Sequence, residues 1–308
     1  MADRPAHRRS PDYGGRLGYA IFHWLIRRLG VRPAYLLLAL VIPYYVLCRP
    51  SARRAALPYL RRRFPELSRL GRLITTVRYF YAFGQVLIDQ AAAGILGPEH
   101  FTIEFAGAEE LHALAQSKAG MVLVTSHAGG WQAAMANMDA LDVPVHFQIQ
   151  LEPHTAGRHF FDLAGQSERF HVISPSAYLG GMVELAQALN SGECVAVMGD
   201  RAWGGRTRTA AFLGEPASFP VSPYHLTLLT EAEVVVLLTA RIGKCAYRIE
   251  QTRIMLHADR AVMSRDEAID ALLRAYVRCL EDYVARYPLM WFNLFDFWNL
   301  NRENAESS

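Results

Sequence analysis

The sequence predicts an α/β fold: a mainly parallel central sheet flanked by helices, preceded by a helical, basic and apolar segment that associates with a membrane. Three observations predict it. Short β-rich runs, "GMVLVTSH", "VPVHFQIQ", "FHVISP", "ECVAVMGD" and "EVVVLLTARI", recur between helical or loop segments, which is the rhythm of an α/β domain. Runs such as "MVLV" and "CVAVM" are apolar without alternation, as in strands covered on both faces. Before them, the chain repeats apolar residues at intervals of three and four, the period of helices with a buried side.

In chain order, residues 1–15 are a polar tail expected to be disordered, 16–96 a helical membrane-associating region, 97–300 the α/β domain and 301–308 a second disordered tail. A chain of 308 residues with a hydrophobic fraction of 52% can fill a sizeable core. The net charge of +3 hides an asymmetry, because "HRR", "IRR", "ARR" and "LRRRF" crowd the first 63 positions, opposed only by Asp3 and Asp12. Such an end seeks anionic surfaces. The apolar stretches "YAIFHWLI" and "AYLLLALVIPYYVLC" between the arginines serve no purpose in a phosphate-tracking arm. An anionic lipid surface uses both components, although core helices carrying surface arginines fit as well. Residues 34–48 are too few to cross a bilayer, which takes about 20, and Pro43 interrupts them; an interfacial or buried helix is expected. The flanking Arg-Pro pairs, with no small-residue cleavage pattern after the stretch, argue against a signal peptide.

Two β-runs end in polar residues, Ser126-His127 and Asp200-Arg201. In open α/β sheets ligands bind beyond the carboxyl ends of strands, so His127 and Asp200 are expected to share a cleft. "SRDEAIDALLRAYVRCLEDYVARYP" then reads as an amphipathic helix capped by Ser264 and stopped before Pro288. The aromatic stretch "LMWFNLFDFWNL" should pack on the domain or dip toward lipid. Cys48, Cys194, Cys245 and Cys279 lie far apart, which suggests neither a disulfide framework nor a zinc site and fits a reducing compartment.

Histidine is the usual proton acceptor for a hydroxyl or amine nucleophile, and a strand end leaves its ring open to a ligand. In "TSHAGGWQAA" the glycines allow a tight passage from strand to helix, placing Trp131 and Gln132 on the first helical turn, within reach of His127. A carboxylate at 132 would fix the tautomer and stabilise the imidazolium; this chain has an amide. Asp200 is the alternative source of charge, unless it serves Arg201 or a loop. Arg201, Arg206 and Arg208 belong to the glycine-containing loop "RAWGGRTRT", where guanidinium forks suit a phosphate, as would a merely solvated basic loop. No Gly-x-Ser-x-Gly elbow, P-loop, Gly-x-Gly-x-x-Gly turn or His-Glu-x-x-His helix occurs. His154 and His159 lack metal-ligand spacing.

The segments "VLVTSHAGGWQ", "VAVMGDRAWGGRTRTAAFLGEPASFPVSP" and "YPLMWFNLFDFW" resemble the lysophospholipid acyltransferase superfamily, closest to its bacterial late lipid A (lauroyl/myristoyl) acyltransferase-like branch, over roughly residues 17–300. The resemblance implies the signature His-x-x-x-x-Asp/Glu, a hydrophobic trough for an acyl chain, and a fatty acid delivered as a thioester of acyl carrier protein or coenzyme A. It also implies a lipid or glycolipid acceptor and a peripheral position on the cytoplasmic face of the inner membrane. His127 falls on the signature histidine as general base, and Gln132 departs from the acidic position. Related phosphatidylinositol mannoside acyltransferases carry an acidic residue near the place of Asp200, close to their histidine. "FPVSP" resembles the family's Phe-Pro-x-Gly-Pro turn with Ser222 in place of glycine, and Trp131, Arg201, Arg206, Arg208 and Ser222 are the substrate-binding candidates. Neither a metal nor an organic cofactor is implied, and nucleic acid is not an expected partner. The other expectation from the amide at 132 is a relative that binds acyl chains or carrier protein without turnover.

Overall fold

The structure, a computed structural model, describes residues 16–149, 169–201, 205–256 and 263–298. Both tails, His154 and His159 lie outside the described residues.

Four helices come first: α1 (Arg16–Leu29), α2 (Val31–Cys48), α3 (Pro50–Arg63) and α4 (Arg69–Leu96). Gly30, with φ of 77°, makes the break between α1 and α2, a conformation that costs glycine little. Pro50 opens α3 at the position where a missing N–H does no harm. Ser68 caps α4, its hydroxyl accepting from the backbone N–H of Gly71. Helix α2 is two-sided. Ala34, Tyr35, Leu38, Ile42 and Val46 are buried, whereas Leu36, Leu40, Tyr44 and Leu47 are exposed. Each set recurs at helical spacing, so one apolar stripe packs on the protein and the other faces outward. The helix starts before the apolar run read from the sequence and reaches 18 residues, long and apolar enough to cross a membrane, with a third of them buried.

The α/β part continues as β1 (Thr102–Ala106), α5 (Ala108–Gln116), β2 (Met121–Thr125), α6 (Trp131–Ala136), β3 (Val145–Gln148), β4 (Phe170–Ile173), α7 (Met182–Asn190), β5 (Cys194–Met198), β6 (Thr207–Phe212), β7 (Glu215–Pro220), α8 (Ser222–Thr230), β8 (Glu233–Gly243), β9 (Ala246–Ile254) and α9 (Arg265–Arg286). The main sheet has the order β1-β9-β8-β2-β5-β3-β4. Every neighbouring pair is parallel except the hairpin β8–β9, in agreement with the expected mainly parallel sheet. Strands β6 and β7 form a separate hairpin. Its two turn residues, Leu213 and Gly214, both have positive φ, the geometry that matches the twist of paired strands.

The all-apolar strands are buried on both sides. Val122, Val124, Val195 and Val197 face a core shared with α7, α8, α9 and the N-terminal helices. Met121, Leu123, Cys194 and Ala196 face a second core against α5 and α6. Burying each such aliphatic side chain stabilises the fold by about 1.5–3 kcal/mol, which makes β2 and β5 a firm base for a site at their ends.

One polar cluster lies inside this apolar frame. Asp89 of α4 is fully buried; its Oδ2 accepts from Arg241 Nε at 2.7 Å and from the Tyr247 hydroxyl at 2.7 Å. Its Oδ1 accepts from the hydroxyl of Tyr35 on α2. A buried carboxylate persists only when paired and hydrogen-bonded, and here the partners come from α2, β8 and β9. The N-terminal helices are thereby tied to the sheet through a buried ion pair, Asp89 with Arg241.

Candidate active site

Thr125 and Met198 are in register at the ends of β2 and β5. The chain therefore leaves two neighbouring parallel strands at one level, with Ser126-His127 on one and Gly199-Asp200 on the other, joined by the bond from Gly199 N–H to Thr125 O at 2.7 Å. Two glycines make the turn after His127 fit. Gly129 has φ of +52°, and a Cβ there would come within 2.0 Å of the Thr239 carbonyl oxygen. A Cβ on Gly130 would strike the Tyr247 ring at 2.6 Å.

His127 Nδ1 is 2.9 Å from Asp200 Oδ1, and the backbone N–H of His127 donates to Asp200 Oδ2 at 2.8 Å. Trp291 Nε1–H donates to the same Oδ2 at 2.9 Å. Asp200 is only 3% exposed. Burial pushes its carboxyl pKa up, but the charge and hydrogen bonds of His127, with the charge of Arg201, outweigh this and hold it below the ordinary value. A carboxylate that stays ionised fixes the Nδ1–H tautomer. Nε2 is then the nitrogen left to take a proton, on a side chain 24% exposed.

Trp291 was not singled out from the sequence, although a buried indole N–H needs an acceptor. Its segment pairs with the turn after β2: Gly129 N–H donates to Met290 O at 2.5 Å, Phe292 N–H donates to His127 O at 2.8 Å, and Ala128 bridges to Trp291. Tyr59, Phe212 and Phe297 enclose the indole, with ring centroids 5.0, 5.2 and 5.3 Å away. The aromatic stretch thus packs on the domain at Trp291, where it completes the site.

Gln132, on the first turn of α6, does not bond to the imidazole among the described residues; its Oε1 accepts from Gln90 Nε2 at 2.7 Å. Trp131, the first residue of α6, packs half-buried against the second core. Arg201 follows Asp200, and its Cζ stands 4.5 Å from the centroid of the Phe295 ring. Burial lowers its pKa, against the opposing charge of Asp200. Arg208 is corrected from loop to strand: it lies in β6 and pairs with Asp266 at 2.5 Å and Asp270 at 2.7 Å on α9. Arg206 is exposed just ahead of that strand. Ser222 opens α8 in front of Pro223. Among these candidates, His127, Asp200 and Arg201 come together, while Arg208 is engaged in holding the hairpin to α9.

A cleft of about 380 Å³ lies between β6 and α9, lined by Thr209, Ala211, Leu273, Val277 and their neighbours, and another of about 170 Å³ lies beside Leu228 and Met255. Neither is lined by His127 among the described residues. No group of three or more metal-ligating His, Cys, Asp or Glu side chains occurs among the described residues.

Comparison with curated proteins finds no match. The sequence profile of a family described as bacterial lipid A biosynthesis acyltransferase matches residues 1–299. With that match spanning nearly the whole chain, the protein belongs to the bacterial lipid A biosynthesis acyltransferase family.

Proposed function

We propose that this acyltransferase moves a fatty acyl group from an acyl-carrier-protein or coenzyme A thioester to a hydroxyl or amine of a lipid or glycolipid, with His127 as general base. The 2.9 Å contact between His127 Nδ1 and Asp200 Oδ1 carries the reading. Asp200 orients the ring and balances the imidazolium, leaving Nε2 to accept the acceptor's proton as it attacks the thioester carbonyl. The thiolate then leaves and recovers that proton. Charge-assisted hydrogen bonds are about twice as strong as neutral ones, so Asp200 offers what an amide at 132 lacks and favours turnover over binding alone. Gln132, held by Gln90, supports the first turn of α6. Catalysis needs proximity and proton transfer, and the thioester is a co-substrate; no metal or organic cofactor enters.

The exposed stripe Leu36, Leu40, Tyr44 and Leu47, beside the arginines of the first 63 positions, suits a peripheral seat on an anionic membrane, the cytoplasmic face of the inner membrane. Arg201, Arg206 and Ser222 remain candidates for contact with a substrate phosphate, and Trp131 for contact with the substrate. The test supplies the full chain with an acyl-carrier-protein thioester and a lipid extract. Transfer that His127→Ala and Asp200→Asn abolish supports the reading; thioester binding without transfer in the unaltered protein refutes it.

A further inference from the structure

Two polar groups on the segments that form the dyad lack a hydrogen-bond partner among the described residues. Asn293 is 2% exposed, and neither its side-chain nitrogen nor its oxygen is hydrogen-bonded. The Nε of Arg201 is enclosed and unbonded as well. The Tyr79 hydroxyl, which donates to the Trp291 carbonyl oxygen at 2.7 Å, anchors the segment that leads into Asn293. Arg201 directly follows Asp200 and lies over Phe295, two residues past Asn293. Asn293 itself is two residues past Trp291, on the segment whose backbone pairs with the turn at His127. Both groups thus belong to the two segments that carry Asp200 and Trp291, the donor to its Oδ2.

An unbonded buried amide group destabilises the fold, because it gives up its hydrogen bonds to water and gains none. Leucine, of similar size and without polar atoms, would avoid that cost. Asn293 thus stands where stability favours an apolar residue, with donors held ready in a place from which water is excluded. Fixed donors aimed at developing charge are worth most in such surroundings. Arg201 adds a group that stays protonated at physiological pH.

We propose that Asn293 Nδ2 and Arg201 Nε donate to the carbonyl oxygen of the acyl thioester and hold the negative charge that forms on it. This rests on the acyl-transfer reading and extends it. The acceptor oxygen or nitrogen bonds to the carbonyl carbon and its proton passes to His127 Nε2. The carbonyl π pair moves onto oxygen, where the two donors meet it. When the C=O bond re-forms, the C–S bond breaks, and the departing thiolate takes the proton back from His127.

The experiment uses full-length His127→Ala protein, in which turnover is stopped, and dodecanoyl-pantetheine carrying ¹³C at the thioester carbonyl. Infrared difference spectra are expected to show the bound carbonyl stretch at lower wavenumber than in buffer. Asn293→Leu should move it back while the thioester still binds and Tm stays level or rises. With His127 restored, Asn293→Leu should slow single-turnover transfer by about 10²–10³-fold. An unshifted carbonyl, or a shift that Asn293→Leu leaves in place, overturns the proposal; should that variant fail to fold, an unchanged shift in Arg201→Gln overturns it instead. A shift with no transfer by unaltered protein refutes the acyl-transfer reading alone, whereas transfer without a shift refutes this proposal alone.

Discussion

The carboxylate of Asp200 meets His127 twice, through Oδ1 at the ring Nδ1, 2.9 Å away, and through Oδ2 at the backbone N–H, 2.8 Å away. Ring and backbone are thus gripped by one group, which fixes both the position and the tautomer of the imidazole.

Replacing Asp200 with Asn removes the charge and presents an N–H to donors already in place. Carboxylate-to-amide change in a comparable triad costs about 10⁴ in turnover, and a loss of that order is expected in single-turnover assays. Gln132→Glu is the control: its partner is Gln90, not the ring, so the transfer rate should change by no more than about threefold. A large gain in Gln132→Glu would contradict the assignment of Asp200 as the acid.

Trp291→Phe keeps the aromatic packing and deletes the donor to Asp200 Oδ2. Urea unfolding should show a loss of about 1.5–3 kcal/mol, the usual worth of a hydrogen bond to a charged group. The transfer rate should fall with it, because Asp200 loses one of its three donors.

The folded Asp200 holds its proton less tightly than an ordinary carboxylate. Its contribution to stability is therefore complete above the unfolded value of 3.8 and is lost as pH falls through the lower folded value. The Tm difference between unaltered protein and Asp200→Asn should be larger at about pH 5 than at about pH 3. Equal differences at both would show that Asp200 does not carry this linkage.

On α2, Leu40 is 76% exposed and Leu38 is 6% exposed. Leu40→Asp should leave Tm unchanged and cut partition onto anionic vesicles by more than about tenfold. Leu38→Ala should do the reverse, costing about 2–5 kcal/mol of stability while the folded protein still binds vesicles. Flotation and thermal unfolding on both variants separate the two sides of the helix.

Asp89→Asn withdraws the charge facing Arg241, which is 9% exposed at its side chain. Leaving a buried charge unpaired costs about 3–5 kcal/mol, and chemical denaturation should register it.

The sequence disclosed most of the fold where burial is two-sided. "MVLV" and "CVAVM" became β2 and β5, and the remaining β-rich runs became β3, β4 and β8. It hid β1, β6, β7 and β9. Strand β9, "AYRIEQTRI", carries charged residues because part of it is open to solvent, and β6, "TRTAAF", mixes threonine, arginine and alanine, so Arg208 reads as part of the preceding loop. At the site, the strand-end rule brought out His127 and Asp200. The amide at 132 and the carboxylate at 200 could not be ranked as ring partners without the register of β2 on β5. Trp291 and Asn293 stand in the sequence only as part of an aromatic stretch, since nothing in its spacing reveals that the Trp291 indole has a partner some 90 positions earlier.

The bond from Trp291 to Asp200, together with the pairing of residues 290–292 with the turn after β2, gives the site a place in time. The ribosome has made every strand of the sheet before residue 291 exists. A nascent chain, or one cut short after α9, owns both members of the dyad and lacks the indole that steadies them. The surroundings of the dyad are therefore complete only once residues 290–292, which follow every strand of the sheet in sequence, are in place.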